Sequence, residues 1–411
     1  MDTITFRINE SKAHLDINRT HWAVGAGFFS TQQIRTRENK YINIVYDCGT
    51  NNSINLVVRE VDKYVKYFTD EVDYIFISHL DKDHVNGLEY LVSKLKNKPK
   101  KIFYPAVSNS EILILSAKYH AIPSSQQPNV EILANLQEYF SSLAEQAVPV
   151  SPESNDYHEI IELDEPQLDN DIEPISSDSA PSPKVSSSYP DPIIDIWTLS
   201  FECSLKLSSQ QNKFLNSLAS ELGYTRLIFD KKMLDEAFKQ NIILKRKKEL
   251  IKAYKSVGGM KNLNNTSLFL YSGIPPQNRR KFKVFRSLFK SCSWWNNIAA
   301  GCWTPEPGWI GTGDAPLQTQ YLLNQFNNNF KDYKKISSII TIPHHASKHN
   351  WNNGIMNDLP SYSVYVAGAN GLYNHPDSGV LKKIIMNGGI PVIVNDNEKN
   401  IFSSSVYIHI K

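Results

Sequence analysis

The sequence predicts a mixed α/β (α+β) fold in which two β-sheets stack face to face, interrupted by a large insertion. Three observations predict it. Strand-like runs cluster at both ends of the 411-residue chain. In the first part they alternate with a helical stretch in a strand–loop–helix rhythm. Between the two strand-rich parts, residues 152–192 are dominated by acids, serines and prolines, a composition that cannot bury enough apolar surface to offset its ordering entropy.

Each element has a local reason. Ala23 to Phe29 is small and apolar with two glycines, which predicts a strand and a tight turn. Tyr41 to Tyr46 (YINIVY) predicts a second strand, ending in Asp47-Cys48-Gly49-Thr50. A helix is expected from Ile54 to about Phe68, a β-branched and aromatic strand from Val72 to Ile77, and a helix from Val85 to Leu95. Residues 1–104 are thus one half of the fold. Residues 105–192 are the insertion, expected to be mobile in its acidic part. Residues 193–411 are the second half, opening with the strand Ile193 to Phe201. A basic helical segment follows at about 207–258, including Leu244-Lys245-Arg246-Lys247-Lys248, Lys252 and Lys255. Further strands are expected at Ser267–Tyr271, Trp309–Thr312, Ile336–Ile342, Ser363–Ala367, Pro391–Val394 and Ser403–Ile410.

Bulk composition excludes little beyond the extremes. Charged residues are 21%, hydrophobic residues 41%, and the net charge is +2, so any electrostatic signal must be local. Four scattered cysteines, Cys48, Cys203, Cys292 and Cys302, point to a reducing compartment and away from a cysteine-based zinc site. The start MDTITFRINESKAHLDI lacks a basic stretch followed by an apolar core, so no signal peptide is expected. No apolar run is long enough for a bilayer. A cytoplasmic protein without a membrane partner is expected.

The chemistry concentrates in FISHLDKDHVNG, residues 76–87, where His79, Asp81, Asp83 and His84 follow an apolar run. Three later stretches repeat the pattern of strand followed by ligand-type residues. These are Thr312-Gly313-Asp314, Pro343-His344-His345-Ala346-Ser347 and Tyr373-Asn374-His375-Pro376. Strand ends on one sheet edge converge on one point. Crowded carboxylates in a half-buried site are costly unless compensated. A divalent cation removes that cost and favours ionised carboxylates and neutral imidazoles. This mixed donor set suits zinc, manganese or iron better than calcium, and it suffices for two ions. His14, His21, His120, His158, His349 and His409 are expected to be ordinary surface or core residues.

His79-X-Asp81-X-Asp83-His84 resembles the signature of metallo-β-lactamase-fold hydrolases, in the branch where the second histidine is aspartate. With Asn264-Asn265-Thr266-Ser267-Leu268 and the three later motifs, the set is similar to the hydrolase domain of DNA-uptake competence channel proteins and to phosphorylcholine esterases. The resemblance covers residues 4–104 and 193–411. It implies a four-layer αββα sandwich and two divalent metal ions, zinc or manganese. It places His79, Asp81 and one histidine of the His344/His345 pair, with His345 preferred, on the first ion and Asp83, His84 and His375 on the second, bridged by Asp314. His344 beside His345 would be a proton donor or a packing residue. Asp83 would orient the nucleophile or take up a proton. Ala346 stands where many relatives have glycine.

The resemblance implies hydrolysis by a metal-bound hydroxide, of a phosphodiester or of a carbonyl substrate. Two basic, aromatic-laced stretches favour a nucleic-acid substrate, hence a phosphodiesterase or nuclease: Arg279 to Arg286, and Lys245 to Lys248. Taken singly, each stretch reads rather as the solvated face of a basic amphipathic helix, the one at Arg279 with Phe282, Phe285 and Phe289 turned inward. Trp294, Trp295 and Trp303 would be core or a pocket wall. The alternatives are a small-molecule hydrolase (a lactone, phosphocholine ester or cyclic nucleotide) and a non-catalytic metal-binding sensor module. The acidic segment is a linker, or a nucleic-acid mimic covering a basic groove until a protein partner removes it.

Overall fold

Alternation at the N-terminus starts the first sheet: β1 (Asp2–Asn9) buries every second residue, including Ile4, Phe6 and Ile8, the two-residue period of a half-buried strand. The structure, a computed structural model, describes residues 1–121, 130–152, 157–164, 192–203, 209–257, 266–290, 306–369 and 374–411. Most of the acidic segment, Trp294, Trp295, Trp303, Asn264, Asn265 and Tyr373 lie outside the described residues, as do Cys292 and Cys302.

The first half continues with β2 (His14–His21), β3 (Gly27–Thr36), β4 (Tyr41–Thr50), α1 (Ile54–Tyr67) and β5 (Tyr74–Phe76). It closes with α2 (Lys82–Val85), α3 (Leu88–Lys94) and β6 (Lys101–Pro105). Helix α1 starts at Ser53, whose side chain accepts from Asn55 N, and buries Val57, Val61 and Tyr64 on one face. The expected strand at Ala23 begins only at Gly27, because Trp22–Ala26 turns the chain through Gly25 at φ +73°. Strands β1 and β2 precede those expected.

Residues 105–192 carry α4 (Asn109–Ala121), α5 (Val130–Ala134), α6 (Leu136–Leu143), β7 (Gln146–Val150) and β8 (His158–Glu162). Strand β7 extends one sheet in parallel to β6, and β8 extends the other in parallel to β1. Next come β9 (Ile193–Cys203) and four helices: α7 (Ser209–Glu221), α8 (Arg226–Lys232), α9 (Glu236–Lys245) and α10 (Lys247–Ser256). Helices α7, α9 and α10 pack on α4, and α9 also packs on α5, so the two helical segments form one bundle.

The last part holds β10 (Leu268–Gly273), β11 (Phe282–Lys290), β12 (Gly308–Gly311), α11 (Gln320–Asn329), α12 (Lys331–Lys334) and β13 (Ser337–Thr341). It ends with the short turn α13 (Pro343–Ala346), β14 (Val364–Gly368), α14 (Ser378–Met386), β15 (Ile390–Val394) and β16 (Phe402–Ile410). The basic stretch around Arg279 is not a helical face. It is a 3-10 turn over Pro276–Lys281 followed by strand β11, which pairs antiparallel with β16. Phe282 is buried and Phe285 exposed, so the phenylalanines do not share an inward stripe; pairing with β16 overrides the near-helical spacing.

One sheet runs β15-β14-β13-β12-β10-β9-β1-β8 and the other β11-β16-β2-β3-β4-β5-β6-β7. Between them lies a core including Phe6, Phe76, Phe103, Phe201, Leu270 and Trp309, each large apolar side chain contributing about 1.5–3 kcal/mol. A second core joins the outer face of the second sheet to α1, α3 and the helical bundle; a third joins the first sheet to α11 and α14. The result is the four-layer αββα sandwich. Among the described residues, no helix is long and apolar enough to cross a membrane.

Candidate metal centre

The centre is built where parallel strands end. β4 and β5 are parallel in one sheet, and β12, β13 and β14 in the other, so the loops that follow them emerge along one edge. Strand β5 is three buried residues long and stops at Ser78-His79. A β-bulge in the β3–β4 ladder pairs Phe29 with Cys48 and Ser30 with Tyr46, which leaves Asp47 as the extra residue, at φ +58°. The bulge turns the Asp47 carboxylate out of the ladder. It accepts from Ser78 N and Ser78 Oγ, both at 2.6 Å, and lies 2.8 Å from His84 Nδ1.

Helix α2 then sits directly on β4. A Cβ at Gly49 would meet Asp83 C at 2.6 Å and His84 N at 2.7 Å. Asn86 clamps Thr50 through two hydrogen bonds of 2.9 Å, and Gly87 N donates to Cys48 O at 2.9 Å. Across the edge, His344 N donates to Gly313 O at 3.1 Å, which ties the histidine pair to the Asp314 loop. His344, His345 and Ala346 all have left-handed φ, +50°, +53° and +63°. Such conformations cost non-glycine residues ~1–3 kcal/mol each and persist where surrounding structure imposes them. Ala346 therefore occupies a conformation that favours glycine.

These loops bring the expected ligands together. His79 Nε2 is 3.4 Å from Asp314 Oδ2 and 3.8 Å from Asp81 Oδ2. His84 Nε2 is 3.5 Å from Asp314 Oδ1 and 3.9 Å from Asp83 Oδ2. His345 Nε2 is 3.2 Å from Asp83 Oδ2, and His344 Nδ1 is 3.2 Å from Asp314 Oδ2. His375 faces His344, ring centroids 5.9 Å apart. Among the described residues, three donor groups lie within ion-binding reach: His79, His84 and Asp314; Asp83, His84 and His345; His79, Asp81 and Asp83; the expected ligand His375 joins none of them. By proximity His345 thus stands with Asp83 and His84, whereas the resemblance groups it with His79 and Asp81. His344 is the more exposed of the pair, with 31% of its side chain accessible against 2% for His345.

The donor set fits a divalent cation. His79 Nε2 and His84 Nε2 are buried without a hydrogen-bond partner of good geometry, although both face Asp314. Burial works to raise the Asp314 carboxyl, but His344 and His79 outweigh it and hold Asp314 well below the usual carboxylate range. Asp83 is lowered likewise, against burial, by His84 and His345. Burial opposes protonation of His84, yet Asp47 and Asp83 push it well above its ordinary value. Burial lowers His344, with Asp314 opposing and His345 adding to the fall. Burial and the neighbouring His344 and His345 lower His375 to about 4. Ionised carboxylates and neutral imidazoles are the ligating states; His344 and His375 are biased to the neutral form, whereas His84 is biased to hold a proton that a cation would have to displace.

Three residues near the centre escaped the motif reading. Asp47 was visible only as a strand end; its signal was an acid before Cys48-Gly49 in an otherwise apolar strand. Lys118 and Tyr119 come from α4: Lys118 Nζ is 2.9 Å from Asp81 Oδ2, and the Tyr119 hydroxyl donates to Asp81 Oδ1 at 2.9 Å. Nothing in the α4 sequence signals that contact. Leu268 N donates to Ser78 O at 2.7 Å, so the Thr266-Ser267-Leu268 motif also meets the centre. Among the described residues His14, His21, His120, His158, His349 and His409 join none of the three groups.

Residues 38–102, which include the first metal turn, match the family model described as the Metallo-beta-lactamase superfamily. No curated protein matches the chain. Among solved structures, the metallo-beta-lactamase fold protein YhfI from Bacillus subtilis is similar at 8% identity and a TM-score of 0.37, over 94% of this chain and 99% of that one. A long form RNase Z from yeast is similar at 8% identity and a TM-score of 0.33, over 86% of this chain and 37% of that one. With two stacked sheets, helices on both outer faces and a family match across the His79–His84 turn, this chain has the metallo-beta-lactamase fold.

Proposed function

We propose that this protein is a metal-dependent hydrolase of phosphodiester bonds, a nuclease or phosphodiesterase working with two zinc or manganese ions. The observation that carries this reading is the meeting of His79, Asp81, Asp83, His84, Asp314 and His345 on one edge, with His344 against Asp314 and buried imidazole nitrogens facing that shared carboxylate. Two bound cations would activate water and stabilise a leaving oxygen. Asp314, which faces His79, His84 and His344, would be shared between the two cations. Asp47 and Ser78 hold the first motif in place, and the more exposed His344 is positioned to pass a proton to a leaving group.

A phosphate-bearing polymer is favoured by the helical bundle. Lys245, Lys247, Lys248 and Lys255 are exposed at the end of α9 and on α10, beside Arg246 and Lys252, which pair with Glu249 and Glu221, and α10 packs on α4, the helix that reaches Asp81. Cations so arranged follow a phosphate backbone. The Arg279–Arg286 stretch contributes less. Strand β11 is five positions from β5 in its sheet, roughly 24 Å at the usual strand spacing, and Arg279 is paired with Glu306 at 2.7 Å.

A second reading, hydrolysis of a small ester or lactone, is favoured by a cavity of about 170 Å³ lined by Leu80, Tyr119, Tyr139 and Phe140, the first two neighbours of Asp81. One screen separates the readings. The zinc- or manganese-loaded protein is offered single- and double-stranded DNA, RNA, bis(p-nitrophenyl) phosphate, p-nitrophenyl phosphocholine and a lactone panel. Cleavage of nucleic acid that disappears in Asp314→Ala supports the proposal; turnover surviving that substitution sinks the bridging role. Cleavage confined to small esters selects the second reading. The buried thiol of Cys48 accords with a cytoplasmic setting.

A further inference from the structure

Asp81 differs from the other two carboxylates of the centre in what holds it. Asp83 is faced by the imidazoles of His345 and His84, and Asp314 by those of His79, His84 and His344. An imidazole that yields its proton becomes a ligand. Asp81 instead meets an ammonium. Lys118 Nζ lies 2.9 Å from Oδ2, the oxygen that faces His79 Nε2 at 3.8 Å, and the Tyr119 hydroxyl takes Oδ1 at 2.9 Å. The backbone that carries Lys118 is held in place, with the lysine side chain 23% exposed: α4 is packed against α5, α7, α9 and α10, and Tyr119 is buried with its hydroxyl also 2.7 Å from Leu80 O.

A lysine ammonium stays charged at ordinary pH and has no lone pair to offer a metal. It competes with a cation for the Asp81 oxygen and repels it at short range. Among the described residues no lysine or arginine forms an ion pair with Asp83; Lys118 acts on it only at longer range, without the direct contact it makes with Asp81.

We infer that Lys118 is a positioning residue that makes the two cation positions unequal. The position bounded by Asp83, His84, His345 and Asp314 loads first and tightly. The His79–Asp81 position loads second and weakly, because the ammonium on Asp81 opposes it. The bundle helix α4 thereby sets the metal complement of a centre whose ligands all lie in the sandwich. This inference rests on the metal-centre reading above.

Titration of chelator-stripped, full-length protein with Zn²⁺ against a chromophoric chelator tests it, without recourse to turnover. Wild type is expected to bind two equivalents whose dissociation constants differ by about tenfold or more, the scale on which residues behind metal ligands act. Lys118→Met should tighten the second equivalent by about tenfold and leave the first unchanged, while Lys118→Arg keeps the wild-type pattern. Lys118→Gln carries the same expectation as Lys118→Met should the methionine variant misfold by circular dichroism. Two equal equivalents in wild type, or a second equivalent that is unchanged or weaker without the lysine charge, overturns the inference and leaves the metal centre standing. Failure of wild type to bind any cation removes the centre itself.

Discussion

Asp47 Oδ2 lies 2.8 Å from His84 Nδ1, so a carboxylate thrown out of strand β4 by a bulge fixes the ring whose other nitrogen faces Asp314. The same carboxylate takes both the backbone and hydroxyl donors of Ser78. One side chain therefore sets the start and the end of the motif turn. Asp47→Asn keeps the shape and removes the charge. Residues that orient metal-binding histidines typically matter by 10–100-fold in metal affinity, so a loss on the order of tenfold or more is expected. Competition titration with zinc measures it, and unchanged affinity would show that Ser78 alone suffices.

Gly49 makes a different kind of contribution, by having no side chain. The backbone of Asp83 and His84 rests where its Cβ would be, at 2.6–2.7 Å. Backbone cannot yield as a flexible side chain does. Gly49→Ala should displace α2, weakening zinc binding more than tenfold and removing turnover, at a stability cost on the order of 1–3 kcal/mol for overpacking. Zinc titration alongside urea unfolding gives both numbers. Wild-type affinity in the alanine variant would mean that the turn adjusts freely.

His21 governs acid stability from between the sheets. It is 2% exposed, accepts from Trp309 Nε1 at Nε2 (3.2 Å) and packs on Phe28 and Phe402. Burial, with Arg19 adding, lowers it from 6.5 to about 3. Above pH 6.5 both folded and unfolded forms leave it neutral. As pH falls from about 6.5 towards 3, the unfolded chain takes a proton that the folded one refuses, so stability falls by about 1.4 kcal/mol per pH unit from this residue alone. His21→Gln, which retains an acceptor for Trp309, should flatten that slope in urea unfolding between pH 6 and pH 4; an unchanged slope would assign the loss to other groups.

Arg19 is the neighbouring buried cation. Its guanidinium donates to Pro307 O at 2.8 Å, Ser272 O at 3.1 Å and Gln32 Oε1 at 3.2 Å, and it stacks over Trp197. Arg19→Leu removes all three bonds; Gln32 Oε1 keeps the Ser272 Oγ donor at 2.7 Å, but the backbone acceptors lose the guanidinium, at about 1–3 kcal/mol for each buried acceptor left unsatisfied. A fall of several kcal/mol in unfolding free energy, with zinc affinity retained, is expected from parallel urea and zinc titrations. A fall below about 1 kcal/mol would mean that water replaces the guanidinium.

Much of the sandwich was legible because its strands and helices follow simple periods. Tyr41–Tyr46, Ile54–Phe68 and the strands of the last third stand close to where expected. Strands β1 and β2 carried the same alternation but no ligand motif drew attention to them. Strands β7 and β8 were hidden by short length and by their place beside an acidic segment. At Arg279–Arg286 a helical spacing of aromatics proved weaker than edge pairing with β16.

The sequence by itself determined the donor inventory: four strand ends, each followed by histidine or aspartate, are a local pattern and need no tertiary knowledge to read. Only the folded chain decided the neighbours of those donors. Which carboxylate meets Lys118, which histidine Asp47 holds, and whether His345 stands with Asp83 depend on contacts between residues 37 to 262 positions apart. Spacing along the chain fixes what a turn contains. It does not fix which distant helix or bulge packs against that turn, because packing is settled by the shape of the whole core.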